Sequence, residues 1–228
     1  MREHEFDRGI ASGSLEIIGQ LVEASNASLL CKTEDGTKVI YKPVMGERPL
    51  WDFPDGTLAH REVAAYISSE ELGLHLVPFT ILRDGPYGMG SVQKWIDIDE
   101  DFDLLAFAQS RKPSLRMMAL FDAVINNTDR KFGHILMSSE GFLYGCDHGV
   151  SFHSIPKLRT VLWQWAGQEL TGEEKEILAR VPKLNDRLKE FLSSAEIDAL
   201  FARSEEIVRA GTLPYPSEEW PAVPWPPF

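Results

Sequence analysis

The sequence predicts a two-lobed α+β protein: an N-terminal antiparallel sheet with one helix, then a mostly helical C-terminal lobe interrupted by a hairpin. Three observations predict it. Short apolar and β-branched runs fill the first part, punctuated by turn residues such as Glu34-Asp35-Gly36, whose Asp-Gly pair is a strong hairpin signal. An acidic run, Asp97 to Asp103, makes the sharpest composition break and divides residues 1–96 from 97–211. Beyond it, apolar residues recur at helical spacing and two capping-box patterns appear, Thr171 with Glu174 and Ser193 with Glu196.

Taken in order, residues 1–14 are a polar entry segment, and Leu15 to Ala24, Ser28 to Thr33 and Thr37 to Val44 read as strands. The connection Ser25-Asn26-Ala27-Ser28 is small and polar, either a plain turn or a loop whose N–H groups and hydroxyls face a phosphate. In the run VIYKP, Val39 and Tyr41 share one face while Ile40 and Lys42 share the other. Lys42 is therefore either an edge-strand lysine with its head in water or a cation held on an apolar face. Glu47 to Gly56 is a turn-rich insertion with two prolines and two large aromatics. Thr57 opens a helix that stops at Gly73, with Val63, Tyr66 and Ile67 as its core stripe; Glu62 beside them is either solvated or a partner for Lys42. Leu76 to Leu82 and Gly90 to Ile96 form a further strand pair around Asp84-Gly85-Pro86.

In the second part Ser114 can cap a helix whose inner face is Leu115, Met118, Phe121, Val124 and Ile125. A polar loop with Asp129, Arg130 and His134 follows, then strands Ile135 to Met137 and Phe142 to Gly145, then a second acidic loop at Asp147. The hairpin returns Asp147 to the end from which Asp129 and His134 leave. Two carboxylates and an imidazole then converge, which suits a divalent ion on phosphate oxygens with a further acid or base beside it. Gly211 closes the last helix. Residues 212–228 carry six prolines and two tryptophans, so the tail is extended. It reads as lying along its own domain, with a protein partner that recognises proline as the alternative.

Hydrophobic residues at 43% and charged residues at 25% are ordinary globular values. A net charge of −12 argues against a general nucleic-acid or anionic-membrane binder. The opening MREHEFDRGI lacks a signal-peptide core, and no apolar run approaches the roughly 18 to 20 residues that span a bilayer. Cys31 and Cys146 sit in apolar, strand-like runs and read as reduced, buried thiols; a cytoplasmic protein without membrane insertion is expected.

The order of these elements resembles the protein-kinase-like fold. NTDRKFGHI (Asn127 to Ile135), followed by CDHGVSF (Cys146 to Phe152), resembles the catalytic and metal-binding loops of the phosphatidylinositol 3-/4-kinase-like branch, in a small bacterial group distantly similar to HipA-type kinases. The resemblance spans residues 14–155 and implies an ATP-dependent phosphotransferase that uses Mg²⁺ or Mn²⁺ and acts on a hydroxyl acceptor it does not identify. It implies that Lys42 holds the nucleotide phosphates with Glu62 steadying its ammonium, that Ser25, Asn26 and Ser28 cover those phosphates, and that Ile40 and the backbone of Gln93, Lys94 and Trp95 meet the adenine. Asp129 would accept or orient the proton of the attacking hydroxyl, Arg130 would steady the loop or neutralise phosphate charge, and Asp147 would carry the metal.

The chain departs from the family pattern at three places. His134 stands where a metal-binding Asn or Asp is usual, Asp147-His148-Gly149 replaces Asp-Phe-Gly, and the Ser25 to Ser28 turn lacks glycines. Imidazole is a poor ligand for Mg²⁺ and an acceptable one for Mn²⁺, so His134 is either a ligand or a structural residue. Two other readings stand beside the enzyme: a nucleotide-binding pseudokinase that acts as a binding module, and a hydrolase whose metal sits on His134, Asp147, His148 and His153 with Asp129 as base. Helix-like sequence resumes by about Leu158, which leaves little room for a long activation segment. With the acidic charge, that favours a small molecule or a protein hydroxyl over phosphoinositide.

Overall fold

The computed structural model describes residues 9–21, 27–99 and 101–228. Strands β1 (Leu15–Gln20), β2 (Leu29–Thr33), β3 (Lys38–Pro43), β4 (Thr80–Gly85) and β5 (Gly88–Lys94) form one antiparallel sheet in the order β1-β2-β3-β5-β4. Alternation decides its faces. Leu15, Leu29, Cys31, Val39, Tyr41 and Val92 bury one face with Ile10, and the opposite face of β3 carries Ile40 and Lys42. β3 is thus a central strand, not an edge, and its lysine is on the side away from that core. The first strand ends at Gln20, short of the expected Ala24, and the Ser25 and Asn26 expectations lie outside the described residues.

The β4–β5 hairpin runs beyond the expected turn, pairing Gly85 with Gly88 so that Pro86 and Tyr87 form its tip. It starts at Thr80 instead of Leu76 because the N–H groups of Leu76 and Val77 donate to Ser69 Oγ at 2.7 and 3.2 Å. Gly90 has to lack a side chain: a Cβ there would lie 2.5 Å from the carbonyl oxygen of Lys42.

Helix α1 (Leu58–Glu71) starts without a side-chain bond from Thr57. The carboxylate of Glu47 takes that place, accepting from the N–H groups of Leu58 and Ala59 at 3.1 and 2.8 Å, where negative charge also favours the helix dipole. Val63 is buried as expected, with Tyr66 and Ile67 packed against the core. Arg61, 2% exposed, fastens α1 to the second half by donating to the Ser151 carbonyl at 2.8 Å and pairing with Glu196.

The second half holds α2 (Leu104–Ala108), α3 (Pro113–Ile125), the hairpin β6 (Ile135–Met137) and β7 (Leu143–Gly145), α4 (Gly172–Leu178), α5 (Asn185–Leu188) and α6 (Ser194–Ala210). α3 begins at Pro113, not after a Ser114 cap, since proline loses nothing at a position whose N–H has no helical partner. Its five expected core residues are fully buried. Both capping boxes form, and Gly211 ends α6 at φ 69°. The helix expected from about Leu158 is absent. Residues 158–161 instead run beside the Asp129 loop, with Thr160 bridged to Arg130, and the next helix starts at Gly172. The tail lies along this half, as Ala222 O accepts from Thr160 N and Trp163 Nε1 at 3.0 and 2.9 Å, and Pro227 O accepts from Phe132 N at 2.8 Å. Cys31 and Cys146 are free thiols that burial pushes up to about 11 and about 12. Among the described residues no helix is long and apolar enough to cross a membrane.

Gly90→Ala should lower the urea-unfolding free energy by about 2 kcal/mol, since backbone must move to admit the methyl, whereas Gly172→Ala, with nothing within 4 Å of its Cβ, should raise it by about 0.5 kcal/mol. Glu174, fully buried, meets Arg116 Nε at 2.6 Å, and though burial alone would raise its pKa, Arg116 and Thr171 hold it below the ordinary 4.5. A depressed acid stabilises fully above its unfolded pKa and stops doing so as pH falls through the folded one. Glu174→Gln should therefore cost about 2 kcal/mol at pH 7, and the gap between wild type and variant should close as pH falls below 4.5.

Candidate active site

The ammonium of Lys42 reaches from β3 to two carboxylates: Glu62 on α1, in a short hydrogen bond, and Asp147 Oδ1 after β7, at 2.9 Å. Burial would lower its pKa, but Asp147 and Glu62 outweigh that and hold it above the ordinary lysine range. Glu62 is 2% exposed, and its second oxygen accepts from the His148 N–H at 3.0 Å, so one carboxylate ties the strand lysine to the loop beside Asp147. Of the two readings of Lys42 and Glu62, the geometry selects the ion pair. Asp147 has a half-exposed side chain and φ of 59°. The Lys42 charge keeps it well below the usual carboxylate range, against the opposing effect of burial.

The Asp129 loop is held from behind by Arg130. Its guanidinium is fully buried and all its N–H groups have acceptors: Nε and Nη2 on Asp122 of α3 at 2.8 to 3.2 Å, Nη2 also on His148 Nε2 at 2.7 Å, and Nη1 on the carbonyls of His134 and Cys146 at 3.1 Å each. Arg130 therefore braces the loops and does not line the cavity, which is the first of its two expected roles and corrects the second, contact with phosphate. Gly145 makes room for it, since a Cβ there would lie 3.0 Å from both terminal nitrogens. The side chain of Asp129 is 29% exposed, pairs with Lys131 Nζ at 3.2 Å, and has its pKa raised by burial against the pull of Lys131.

Nε2 of His134 lies 3.5 Å from Asp147 Oδ2, while its buried Nδ1 has no hydrogen-bond partner. Burial pushes the ring down to about 4, so it is neutral at pH 7. The histidine-rich metal centre is not assembled. His148 faces Arg130, and His153 donates from Nε2 to the Asp52 carbonyl while accepting from Ile155 N, each at 2.9 Å. Among the described residues no three His, Cys, Asp or Glu side chains are grouped to hold a metal.

Lys42, Glu62, Asp129, Asp147 and Ser28 line one cavity of about 360 Å³. Ile40, Gln93, Lys94 and Trp95 lie outside its lining. The N–H groups of Lys94 and Trp95 already donate to the carbonyls of Phe79 and Lys38, at 2.9 and 3.0 Å, and the Gln93 amide donates to Thr80 Oγ1 at 2.9 Å. The far wall holds residues that the sequence did not single out: Trp51 and Asp52 of the 47–56 insertion, Lys157 and Arg159 after Asp147, and Trp220 of the tail. They are remote in sequence, so no local pattern could join them. An ammonium and the carboxylates of Glu62, Asp129 and Asp147 on one concave surface, with His134 outside the lining but 3.5 Å from Asp147, can hold an anion and a divalent ion beside a proton acceptor.

No family model matches the chain. Its fold is similar to that of two solved kinases, the Golgi casein kinase with Mn and ADP bound (TM-score 0.62, 13% identity, 91% of this chain and 74% of that one) and the Helicobacter pylori proinflammatory kinase CtkA (0.53, 12%, 88% and 93%), and to that of Fam20 from hydra with sugar (0.58, 13%, 91% and 87%). This is the protein-kinase-like fold that the order of elements resembled. In sequence the chain is 39% identical to protein Rv2133c of Mycobacterium tuberculosis over 262 aligned positions, which cover 96% of this chain and 94% of that protein. The chain belongs to the Rv2133c family.

Proposed function

We propose that this protein is an ATP-dependent phosphotransferase of the phosphatidylinositol 3-/4-kinase-like type, using Mg²⁺ or Mn²⁺ to transfer the γ-phosphate to a hydroxyl acceptor. One observation carries the reading: Lys42, anchored by Glu62, contacts Asp147 on the wall of the same cavity that Asp129 lines. A scaffold has no physical need to gather these charges in one concavity, since burying them costs solvation.

In this reading Lys42 binds nucleotide phosphates, and the ion pair to Glu62 fixes its ammonium in place. Asp129 orients the acceptor hydroxyl and takes its proton; a carboxylate made more basic by burial does this better than a fully solvated one. Asp147 and neutral His134 would hold the divalent ion, which supplies charge neutralisation at the transferring phosphate. Two side chains suffice there, because such ions complete their coordination with phosphate oxygens and water. A neutral imidazole in that pair tilts the preference toward Mn²⁺. Arg130 sets the positions of all three loops from behind and touches no substrate.

A second reading, a pseudokinase acting as a binding module, is favoured by the β5 end, where the N–H groups of Lys94 and Trp95 are already engaged and no adenine-side residue lines the cavity. Both readings are separable by measurement. ATP with Mn²⁺ at about 100 times its dissociation constant should stabilise the wild type by about 2.7 kcal/mol in thermal unfolding, and Lys42→Met should abolish that increment. Asp129→Asn should keep the increment and lower γ-phosphate transfer from labelled ATP by about 10² to 10⁴-fold. An increment that survives Lys42→Met would contradict the phosphate site. Stabilisation without any transfer in the wild type would select the pseudokinase.

A further inference from the structure

Arg159 stands on the cavity wall beside Asp129, and its backbone is clamped to the loop that carries that carboxylate. Its N–H donates to the Asn127 carbonyl at 3.0 Å, and its carbonyl accepts from Arg130 N at 3.1 Å. The residues on either side of Asp129 thus fix where Arg159 starts. Its charge also acts on Asp129, favouring the ionised carboxylate.

Two other cations of the cavity, Lys42 and Lys157, have carboxylate partners. Lys42 has Glu62 and Asp147; Lys157, with a side chain 4% exposed, pairs with Asp52 Oδ2 at 2.7 Å and faces the rings of Trp51 and Trp220 at 4.6 and 4.8 Å. Arg159 has no carboxylate within ion-pair distance among the described residues, and its Nε–H is buried without an acceptor. A guanidinium is a planar donor fork suited to carboxylate or phosphate. In a chain of net charge −12, a local cation is what an anion would need in order to enter.

The wall limits size as well as charge. The Asp52–Lys157 pair ties the 47–56 insertion to the segment carrying Arg159, and Trp220 brings the tail onto the same lysine. The cavity they border has a volume of about 360 Å³, within the range of small-molecule sites.

We propose, building on the phosphotransferase reading, that Arg159 binds a negatively charged group of the acceptor, so that the substrate is a small hydroxyl compound carrying a carboxylate or phosphate. Lys42 takes the nucleotide phosphates and Arg159 takes the acceptor's anion, which presents the hydroxyl to Asp129. The acceptor oxygen forms a bond to the γ-phosphorus as the bond to the β-phosphate oxygen breaks. ADP leaves, and the hydroxyl proton passes to Asp129.

The test uses the full chain with a non-hydrolysable ATP analogue and Mg²⁺, sulfate as the tetrahedral anion probe, and chloride at matched ionic strength as control. Tryptophan fluorescence reads the titration, since Trp51 and Trp220 line the cavity. The wild-type nucleotide complex should show a saturable sulfate response. Arg159→Gln should weaken it at least tenfold and Arg159→Lys by less, with the analogue's affinity changed less than twofold in either. A sulfate response that is absent from the wild type, or unchanged in Arg159→Gln, would overturn this proposal alone. So would a tenfold loss of nucleotide affinity in Arg159→Gln, because Arg159 would then serve the nucleotide. Failure of the wild type to bind the analogue would remove the phosphotransferase reading and this proposal with it.

Discussion

One buried guanidinium sets the geometry on which the candidate site depends. Arg130 uses every N–H it has: on Asp122 of the central helix, on the carbonyls before β6 and after β7, and on His148. Those contacts fix the loops bearing Asp129, His134 and Asp147 relative to one another. A buried ion pair of this kind adds little net stability while intact, but removing one partner leaves a bare charge and costs about 3–5 kcal/mol. Against a typical total of about 5–15 kcal/mol, the fold then has a strong reason to keep both members. Asp122 is satisfied in its turn, accepting also from Asn127 Nδ2 at 3.0 Å.

The second constraint spans the two halves. Lys42 leaves a central strand, Glu62 a helix clamped to the helical half through Arg61, and Asp147 a loop braced by Arg130. None of the three is held by its own element alone. Backbone strain is confined to a few places, and one of them is Asp147, a non-glycine residue at φ 59°. Residues kept in such conformations persist only where surrounding contacts over-determine them, as the bond to Lys42 does here.

Local features were legible in the sequence. Asp35-Gly36, the two capping boxes, Gly211 and the inner face of α3 each follow from interactions within a few residues, and all appear in the structure. The Lys42–Glu62 pair stood in the sequence as one of two readings, beside a solvated edge-strand lysine, and the family resemblance carried it. Pairings that cross the chain were not legible. Asp122 sits inside MALFDAVI, where the apolar stripe hid the charge that defines Arg130's role; a carboxylate amid such a run was the available signal. The extended path of residues 158–161 depends on backbone bonds to the Asp129 loop, so helix-like local sequence misled. The adenine-side residues were carried by resemblance alone, and β5 engages their N–H groups within the protein.

In the phosphotransferase proposed above, the divalent ion would be held jointly by protein and nucleotide, since Asp147 and His134 alone offer it two side chains. Electron paramagnetic resonance of Mn²⁺, titrated with and without an ATP analogue, tests this most directly. The account predicts weak binding by the protein alone and much tighter binding once the analogue is present, lost in Asp147→Asn. Tight Mn²⁺ binding without nucleotide, or nucleotide-dependent binding that Asp147→Asn leaves intact, would contradict it.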